Sequence, residues 1–289
     1  MSHLAHRHPS ACRGSIMPAT LDIRPIAGAL GAEILGADLS RDLRADTIAE
    51  IRQAFLDHLV VFFRDQSLSP AQFMAFARCI GTPMEYPFVK GIEEFREITA
   101  VVKRPEQTIA FGGNWHTDTT YFPEPPMATM LLARELPPRG GDTQFANQYL
   151  AYEALSDGMK SLLSGLRWVS RSDKAEASRT REDRSTAERT VLVADHPVVR
   201  THPESGRKSL FVNLAHSAHF LGMTEAESAG LLRFLFQHQT RPEFTCRFRW
   251  APGSLALWDH RCTLHSAIND YNGFRREMHR ITLVGDVPV

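Results

Sequence analysis

Short strand-like segments separated by turns run through most of this chain, and helix-like segments are inserted between them. The run LVVFFRDQ, residues 59–66, reads as a buried strand because its residues are β-branched and aromatic. Residues 244–284 read as strands broken by turns. No glycine-rich phosphate loop follows a strand-like segment, which argues against a nucleotide-binding α/β fold. The pattern predicts a mainly β fold with inserted helices, arranged as a sandwich or barrel.

Several segments carry the signals of α-helices. In DTIAEIRQAFLDHL the apolar residues recur at helical spacing, and Asp46 or Thr47 is placed to cap the first turn. The segment SPAQFMAFARCIG has Ser69 at the cap position and Pro70 in the first turn. Residues 149–166 also read as helical. These helices are expected as additions to the β core.

Composition excludes several classes of protein. Lys+Arg and Asp+Glu balance at 33 each, so the chain as a whole offers no electrostatic reason to bind nucleic acid or an anionic membrane. No apolar run approaches the roughly 20 residues that span a bilayer. The four cysteines lie far apart without a CxxC pair, which argues against a zinc ribbon or a disulfide scaffold and favours the reducing cytoplasm as the compartment. The oligomeric state is left open, a homo-oligomer included.

The 289 residues fit one large domain, which we expect to span residues 21–289. Residues 1–20 have no apolar segment of the kind that a secretory signal needs, and they are expected to form a disordered tail. Met17 is an alternative start. Residues 170–190 are polar and charged, without large apolar side chains, so they are expected to form a surface loop or a mobile lid over a site.

The stretch NWHTDTTY, residues 114–121, places a histidine and a carboxylate two residues apart. If this stretch is an extended strand, His116 and Asp118 project from the same face with their Cα atoms roughly 6.5 Å apart. The two side chains could then converge on one metal ion, or they could simply bond to neighbours. Two histidines and one carboxylate form the facial triad of non-haem Fe(II) oxygenases, so a third ligand is required.

The C-terminal region offers His260, His265 and His279 as candidates for that ligand. Its segment WDHRCTLHSAINDYNGFRREMHRITL, together with NWHTD and LPPRGGDTQF, resembles the taurine and 2,4-dichlorophenoxyacetate dioxygenase family. The resemblance covers the chain from about Leu21 to its end. It implies a double-stranded β-helix (jelly-roll) core and an enzyme that depends on Fe(II) and 2-oxoglutarate.

Carried over position by position, the family pattern makes His116, Asp118 and His265 the iron ligands. His260 and His279 do not align with a ligand and are interpreted as supporting or structural residues. Iron halogenases of related fold replace the carboxylate with a small residue. Because Asp118 is retained here, the resemblance implies hydroxylation rather than halogenation.

Three further polar side chains align with the family's contacts to small molecules. Arg276 matches the arginine that holds the distal carboxylate of 2-oxoglutarate, and Thr143 matches a threonine whose hydroxyl meets the same molecule. A planar guanidinium suits this role because it grips a carboxylate bidentately and stays charged. Arg280 matches an arginine that reaches toward the anionic group of the primary substrate, and it could also touch 2-oxoglutarate.

Tyr86, Thr119 and His216 are further candidates for lining the substrate pocket. Taurine-processing members of the family place a histidine and a tyrosine in the segment matching MEYPFVKG, where this chain has Tyr86 but no histidine. They also tend to have an asparagine where this chain has Gly112, and an aromatic residue is more usual at the position of His216. These departures argue against taurine and leave another sulfonate, a sulfate ester or an aryloxyalkanoate-like anion.

The resemblance therefore implies hydroxylation of a small organic anion, with O2 and 2-oxoglutarate consumed and succinate and CO2 formed. The product collapses where the hydroxylated carbon bears a heteroatom. A cupin-like Zn or Mn isomerase or hydrolase would use the same His/Asp/His set but would not need Arg276. A non-catalytic binding protein that has kept the barrel is the other alternative, although all the predicted ligands are present.

Overall fold

The structure is a computed structural model in which four stretches of the chain are described, namely residues 21–86, 89–110, 112–174 and 190–289. The expected tail, residues 1–20, lies outside the described residues, as does most of the expected loop or lid, residues 175–189. Residues 170 and 171, which the sequence predicts to lie in that loop, form the end of a strand.

The described residues form sixteen β-strands. They are β1 (Asp22–Pro25), β2 (Ala32–Leu35), β3 (Val60–Phe63), β4 (Pro83–Met84), β5 (Ile98–Lys103), β6 (Ala128–Glu135), β7 (Thr143–Asn147), β8 (Arg167–Arg171), β9 (Val193–Pro197), β10 (Val199–Thr201), β11 (Lys208–Leu210), β12 (Ser217–Phe220), β13 (Thr245–Phe248), β14 (Leu255–Asp259), β15 (Thr263–Ala267) and β16 (Arg276–Leu283). The fold is mainly β, as predicted.

Helices are inserted between these strands. They are α1 (Ala45–His58), α2 (Pro70–Ile80), α3 (Gln148–Glu153), α4 (Asp157–Leu163), α5 (Glu225–His238) and a short 3-10 helix (Pro242–Phe244). Of the helices in the described stretches, none is long and apolar enough to cross a bilayer.

The largest sheet has eight strands in the order β1-β2-β3-β14-β6-β16-β4, with β5 also paired to β16. All of its pairings are antiparallel except that of β2 with β3. Side chains alternate across this sheet, as the pleat of a strand requires. Val61 and Phe63 of β3 join the core beneath α1 and α2, whereas Val60 and Phe62 join a second core on the opposite face.

That second core lies between the large sheet and a three-stranded sheet of order β13-β7-β15. Phe62 of the large sheet stacks on Phe248 of the smaller one with ring centroids 3.9 Å apart, and it meets Phe145 edge-on at 5.8 Å. A third sheet, β12-β8-β9, packs with α5 around a separate apolar cluster. The candidate site lies among the strands of the two packed sheets.

The helix predictions are confirmed in part. Ser69 caps α2 in a capping box with Gln72, as its sequence predicts. The predicted cap of α1 is wrong, because the helix begins after Arg44, and the Asp46 carboxylate instead accepts from the neighbouring Thr47 amide and from the Arg44 guanidinium. The single helix expected over residues 149–166 is also wrong. It is divided into α3 and α4, because the Ser156 hydroxyl caps a new helix start.

Candidate metal and cosubstrate site

The segment that carries His116 and Asp118 is a loop, so the condition of an extended strand, on which the two-residue spacing argument rests, is not met. A single antiparallel bridge joins His116 to His265 of β15, with N–H···O distances of 3.0 and 2.9 Å. After the bridge the chain turns, and Thr119 adopts a φ of 46°, in the left-handed region that an extended strand excludes. The bridge nevertheless sets the first histidine directly opposite the second one, which sequence spacing alone did not reveal.

The three predicted ligands come together in a buried cluster. Donor atoms of His116, Asp118 and His265 all lie within 4.8 Å of one another. Oδ1 of Asp118 is 3.4 Å from Nε2 of His116 and 3.8 Å from Nε2 of His265. Each of these side chains is at most 10% exposed. Two imidazoles and one carboxylate oxygen therefore converge on one point, as a facial triad requires.

The ring nitrogens of the two histidines are placed to bind a metal ion at that point. Nδ1 of His116 lies 2.7 Å from the carbonyl oxygen of Asn114, so Nδ1 carries a proton and Nε2, which faces Asp118, is the nitrogen placed to bind a metal. Burial, together with the nearby His116, holds the pKa of His265 well below its usual value, which favours the neutral ring that a metal ligand needs. Two imidazole nitrogens and a carboxylate oxygen that face one another form a donor set suited to a divalent cation.

The second carboxylate oxygen of Asp118 is held by the protein. Thr129 Oγ1 donates to Oδ2 at 3.2 Å, and Nε2 of His260 lies 3.2 Å from the same atom. Burial raises the pKa of the Asp118 carboxyl, but the adjacent histidines, His260 foremost among them, outweigh burial and hold the pKa well below its usual range. His260 is thus a supporting residue, as expected. Thr129 was not anticipated, since a threonine on a buried strand carries no distinctive sequence signal.

His202, Asp259 and Cys262 form another buried group of potential ligands. Their ligand atoms, however, are engaged in hydrogen bonds or protonated, which disfavours a metal ion there. Nδ1 of His202 accepts two backbone N–H groups, so Nε2 carries the proton and donates to Asp259 at 3.1 Å. The same carboxylate receives three side-chain and backbone bonds from Arg261. Burial holds the pKa of the Cys262 thiol well above its usual value. This group is a structural network beneath His260.

A cavity next to the metal cluster has groups for a carboxylate ligand. It is lined by Thr143 and Arg276 as well as by the three candidate ligands. Among the described residues, Nε and Nη2 of the buried Arg276 have no hydrogen-bond partner. Thr143 Oγ1 accepts from the Trp250 indole N–H at 3.0 Å, so its own hydroxyl proton can be donated. A carboxylate would satisfy all these donors, so the residues fit 2-oxoglutarate.

Arg280 lies closer to the metal cluster than Arg276 does. Its Nη1 is 3.8 Å from Oδ2 of Asp118, and its guanidinium lies 4.1 Å from the centre of the Tyr86 ring. Burial lowers the pKa of Arg280, but Asp118 and Tyr86 outweigh burial and raise the pKa. Because Arg276 and Arg280 are four residues apart on β16, both project from one face of the large sheet.

The remaining candidates lie around this centre at different distances. The His216 ring is 6.5 Å from the His116 ring and meets Tyr121 edge-on at 5.1 Å. Thr119 directly follows Asp118, and its buried hydroxyl has no hydrogen-bond partner among the described residues. His279 is not brought to the centre. It receives a hydrogen bond from Arg134 at 3.2 Å, in agreement with its structural interpretation.

Gly112 lies directly against a candidate metal ligand. A Cβ atom at this position would be 3.1 Å from Cε1 of His116, and the backbone φ of +78° disfavours any side chain. We expect Gly112→Ala to weaken Mn(II) binding, measured calorimetrically, by roughly 10- to 100-fold, because ligand orientation controls metal affinity. Gly206→Ala is the matched control, since Gly206 has a φ of +68° with open space around it. Equal metal affinity in both variants would contradict the expected crowding.

Comparison with known proteins agrees with this geometry. The family model described as "Taurine catabolism dioxygenase TauD, TfdA family" matches residues 22–282. An α-ketoglutarate-dependent sulfate ester dioxygenase from Pseudomonas putida is 36% identical over 93% of this chain and 91% of its own length. An α-ketoglutarate-dependent 2,4-dichlorophenoxyacetate dioxygenase from Cupriavidus pinatubonensis is 34% identical over 92% of this chain and 98% of its own.

A solved structure is also similar over most of the chain. The crystal structure of a taurine dioxygenase from Burkholderia xenovorans has 39% sequence identity and a TM-score of 0.80, covering 93% of this chain and 91% of that one. The family model's match, residues 22–282, spans nearly all of both packed sheets and the elements that carry the site. The chain therefore belongs to the taurine catabolism dioxygenase TauD, TfdA family and is a 2-oxoglutarate-dependent dioxygenase.

Proposed function

We propose that this enzyme hydroxylates a small organic anion of the sulfate ester, sulfonate or aryloxyalkanoate class, forming succinate and CO2 from 2-oxoglutarate. The observation that carries the proposal is the placement of two buried arginines, Arg276 and Arg280, on the face of β16 beside the His/Asp/His cluster. One arginine would bind the cosubstrate and the other would bind the anionic group of the substrate. A cupin-like hydrolase would have no use for this pair.

In the proposed site, His116, Asp118 and His265 hold Fe(II). The iron supplies the activation of dioxygen that drives oxidative decarboxylation and C–H hydroxylation. Asp118 offers Oδ1 to the metal while Thr129 and His260 hold Oδ2, so the carboxylate keeps its orientation. The supporting bonds are buried, and this placement excludes water from the far side of the ligand set.

The cosubstrate is bound through its distal carboxylate. Arg276 offers Nε and Nη2, neither of which has a hydrogen-bond partner among the described residues, and Thr143 offers its hydroxyl proton. Trp250 fixes the Thr143 oxygen, so the hydroxyl proton points away from the indole. A bidentate guanidinium and a hydroxyl together fix the position of a carboxylate group, which aligns the other end of the dicarboxylate with the metal.

The primary substrate is proposed to bind on the Arg280 side of the metal. Tyr86 stacks on the Arg280 guanidinium, and Thr119, next to Asp118, and His216, whose ring is 6.5 Å from that of His116, would complete the substrate side of the site. A sulfate, sulfonate or carboxylate group would compete with Asp118 for the guanidinium and place an adjacent C–H bond near the iron. The absence of a histidine from the segment MEYPFVKG, and Gly112 in place of asparagine, favour an anion other than taurine.

The proposal includes the architecture around the site. The two packed sheets would form a double-stranded β-helix, and residues 21–289 would act as one domain in the cytoplasm. Support for the first part comes from the similarity to taurine dioxygenase, and support for the location comes from Cys79, Cys246 and Cys262, which are free thiols.

A substrate screen tests the proposed class. Iron-loaded enzyme is incubated with 2-oxoglutarate, O2 and a panel of alkyl sulfates, alkylsulfonates and aryloxyacids, and succinate release is measured. We expect succinate release coupled to consumption of at least one anionic substrate, with the neutral alcohol of the same carbon skeleton inactive. Equal turnover of the neutral analogue, or no turnover across the panel, would contradict the proposal.

Arg280→Gln tests which small molecule Arg280 binds. Truncating one partner of a buried charge pair costs about 2–5 kcal/mol, so we expect the KM of the anionic substrate to rise roughly 30-fold or more. The Kd of 2-oxoglutarate, titrated without substrate, should change less than about threefold. An equal loss of 2-oxoglutarate affinity would assign Arg280 to the cosubstrate instead.

A further inference from the structure

Lys103 and Arg276 lie side by side on neighbouring strands, and Arg276 lines the cosubstrate cavity. Lys103 ends β5 and is the direct antiparallel partner of Arg276 on β16. Directly paired residues project from the same face of a sheet. Nζ of Lys103 lies 4.5 Å from the centre of the Tyr271 ring, and Cζ of Arg276 lies 6.0 Å from the same centre. The two charged groups therefore have one aromatic neighbour in common.

Both cations are buried, and neither finds an acceptor for all of its N–H groups among the described residues. Lys103 is 5% exposed and Arg276 is 6% exposed. Within the described stretches, Nζ of Lys103 and two of the Arg276 nitrogens have no hydrogen-bond partner. The nearby Asp142 carboxylate is bound by Arg247 at 2.7 Å. Like charges directly opposite each other destabilise a sheet, and an unpaired buried charge is costly, so this arrangement favours an added anion.

The strand places Lys103 beside the cavity. Val101 lines the cavity together with Thr143 and Arg276. Lys103 is two residues farther along β5 and so projects from the same face as Val101. We propose that Lys103 is a second cationic anchor for the distal carboxylate of 2-oxoglutarate, beside Arg276. This inference rests on the proposed role of Arg276, and it adds a residue that the family resemblance did not point to.

A different role for Lys103 would be purely structural, as a cation that packs on the Tyr271 ring. The two roles differ in which ligands they affect. An anchor for the distal carboxylate discriminates 2-oxoglutarate from 2-oxopentanoate, which has a methyl group in place of that carboxylate. A packing cation would affect both oxo acids alike, because it acts only through the shape of the pocket.

The test is calorimetric titration of the full-length Mn(II)-loaded enzyme with both oxo acids. We expect Lys103→Met to weaken 2-oxoglutarate binding on the order of tenfold, the value of one charge-assisted hydrogen bond, and to leave 2-oxopentanoate binding unchanged. Lys103→Arg should retain most of the affinity. Lys208→Met, at an exposed strand lysine of β11, is the matched control and should bind both ligands like the wild type.

Thermal unfolding gives a second measurement that does not need a productive complex. Removing one of two adjacent buried cations should leave the melting temperature of the ligand-free Lys103→Met variant equal to or above that of the wild type. The increase produced by 2-oxoglutarate should be smaller than in the wild type, because ligand stabilisation follows affinity. A lower ligand-free melting temperature with an unchanged 2-oxoglutarate shift would support the packing role and overturn the proposal.

The outcomes separate this inference from the proposed function. One result is that the Lys103→Met variant binds 2-oxoglutarate as well as the wild type does, and another is that it loses affinity for both oxo acids equally. Either result would overturn only the role of Lys103. Failure of the wild type to bind 2-oxoglutarate would overturn the role of Arg276 as well. Failure to find a primary substrate would leave the titrations intact, since they contain none.

Discussion

Asp118→Ala and His116→Ala should each abolish iron binding and reduce turnover roughly 1,000-fold or more. A bound metal stabilises a transition state by several kcal/mol, and each ~1.36 kcal/mol is a factor of ten in rate. The fold should survive, since neither side chain belongs to the apolar clusters that hold the two sheets together. Metal content after dialysis, circular dichroism and succinate release measure the three parts of this expectation.

The matched control is Asp195→Ala, which removes a carboxylate from an ion pair with Arg167 on the surface. Surface pairs of this kind contribute little, so metal content and turnover should be unchanged. Activity like that of the wild type in either ligand variant would contradict the ligand assignment. Loss of the folded state without metal loss would instead give Asp118 a structural role.

Arg276→Ala should raise the 2-oxoglutarate requirement on the order of 100-fold. Removing one partner of a buried, hydrogen-bonded charge pair costs about 2–5 kcal/mol, and here the partner left behind is the carboxylate of the ligand. The change should appear in the KM and Kd of 2-oxoglutarate, measured by succinate release and by titration. The metal content should stay near that of the wild type, because Arg276 does not contact the triad.

Arg275→Ala is the control for this variant. Arg275 is the preceding residue and forms ion pairs with Glu135 and Glu277 near the surface. It carries the same charge on the same chain segment, but its guanidinium is paired with those two carboxylates. We expect no change in the 2-oxoglutarate requirement of Arg275→Ala. An equal effect in both arginine variants would mean that general electrostatics, not a specific contact, sets cosubstrate affinity.

Much of the site was predictable because its signals are chemical. His116, Asp118 and His265 were identified by ligand type and family pattern, and the structure brings them within 4.8 Å of one another. The two-residue spacing of His116 and Asp118 did not reveal the backbone that brings them together. Spacing of two residues indicates a common face only if the backbone is extended, and Thr119 turns the chain immediately after Asp118.

Other features could not be predicted because they depend on pairing between distant strands. Nothing in the local sequence of Lys103 or Thr129 indicates that they face Arg276 and Asp118, respectively. A predicted helix cap was wrong where the capping side chain had another hydrogen-bond partner. Asp46 illustrates this, since its carboxylate is occupied by Arg44 and by its own neighbour, Thr47, and the expected cap is not made. Both kinds of information appear only once strand register and local hydrogen bonds are known.

The fixed spacing of Arg276 and Arg280 on β16 affects how the substrate range of this enzyme could change. A strand rises about 3.3 Å per residue, so the Cα atoms of Arg276 and Arg280 are held roughly 13 Å apart by a rigid, centrally paired segment. Tyr86, Thr119 and His216, in contrast, all lie in connections between strands. Substrate range can therefore drift by substitution or resizing of loops, while the distance between the two anion anchors is inherited unchanged.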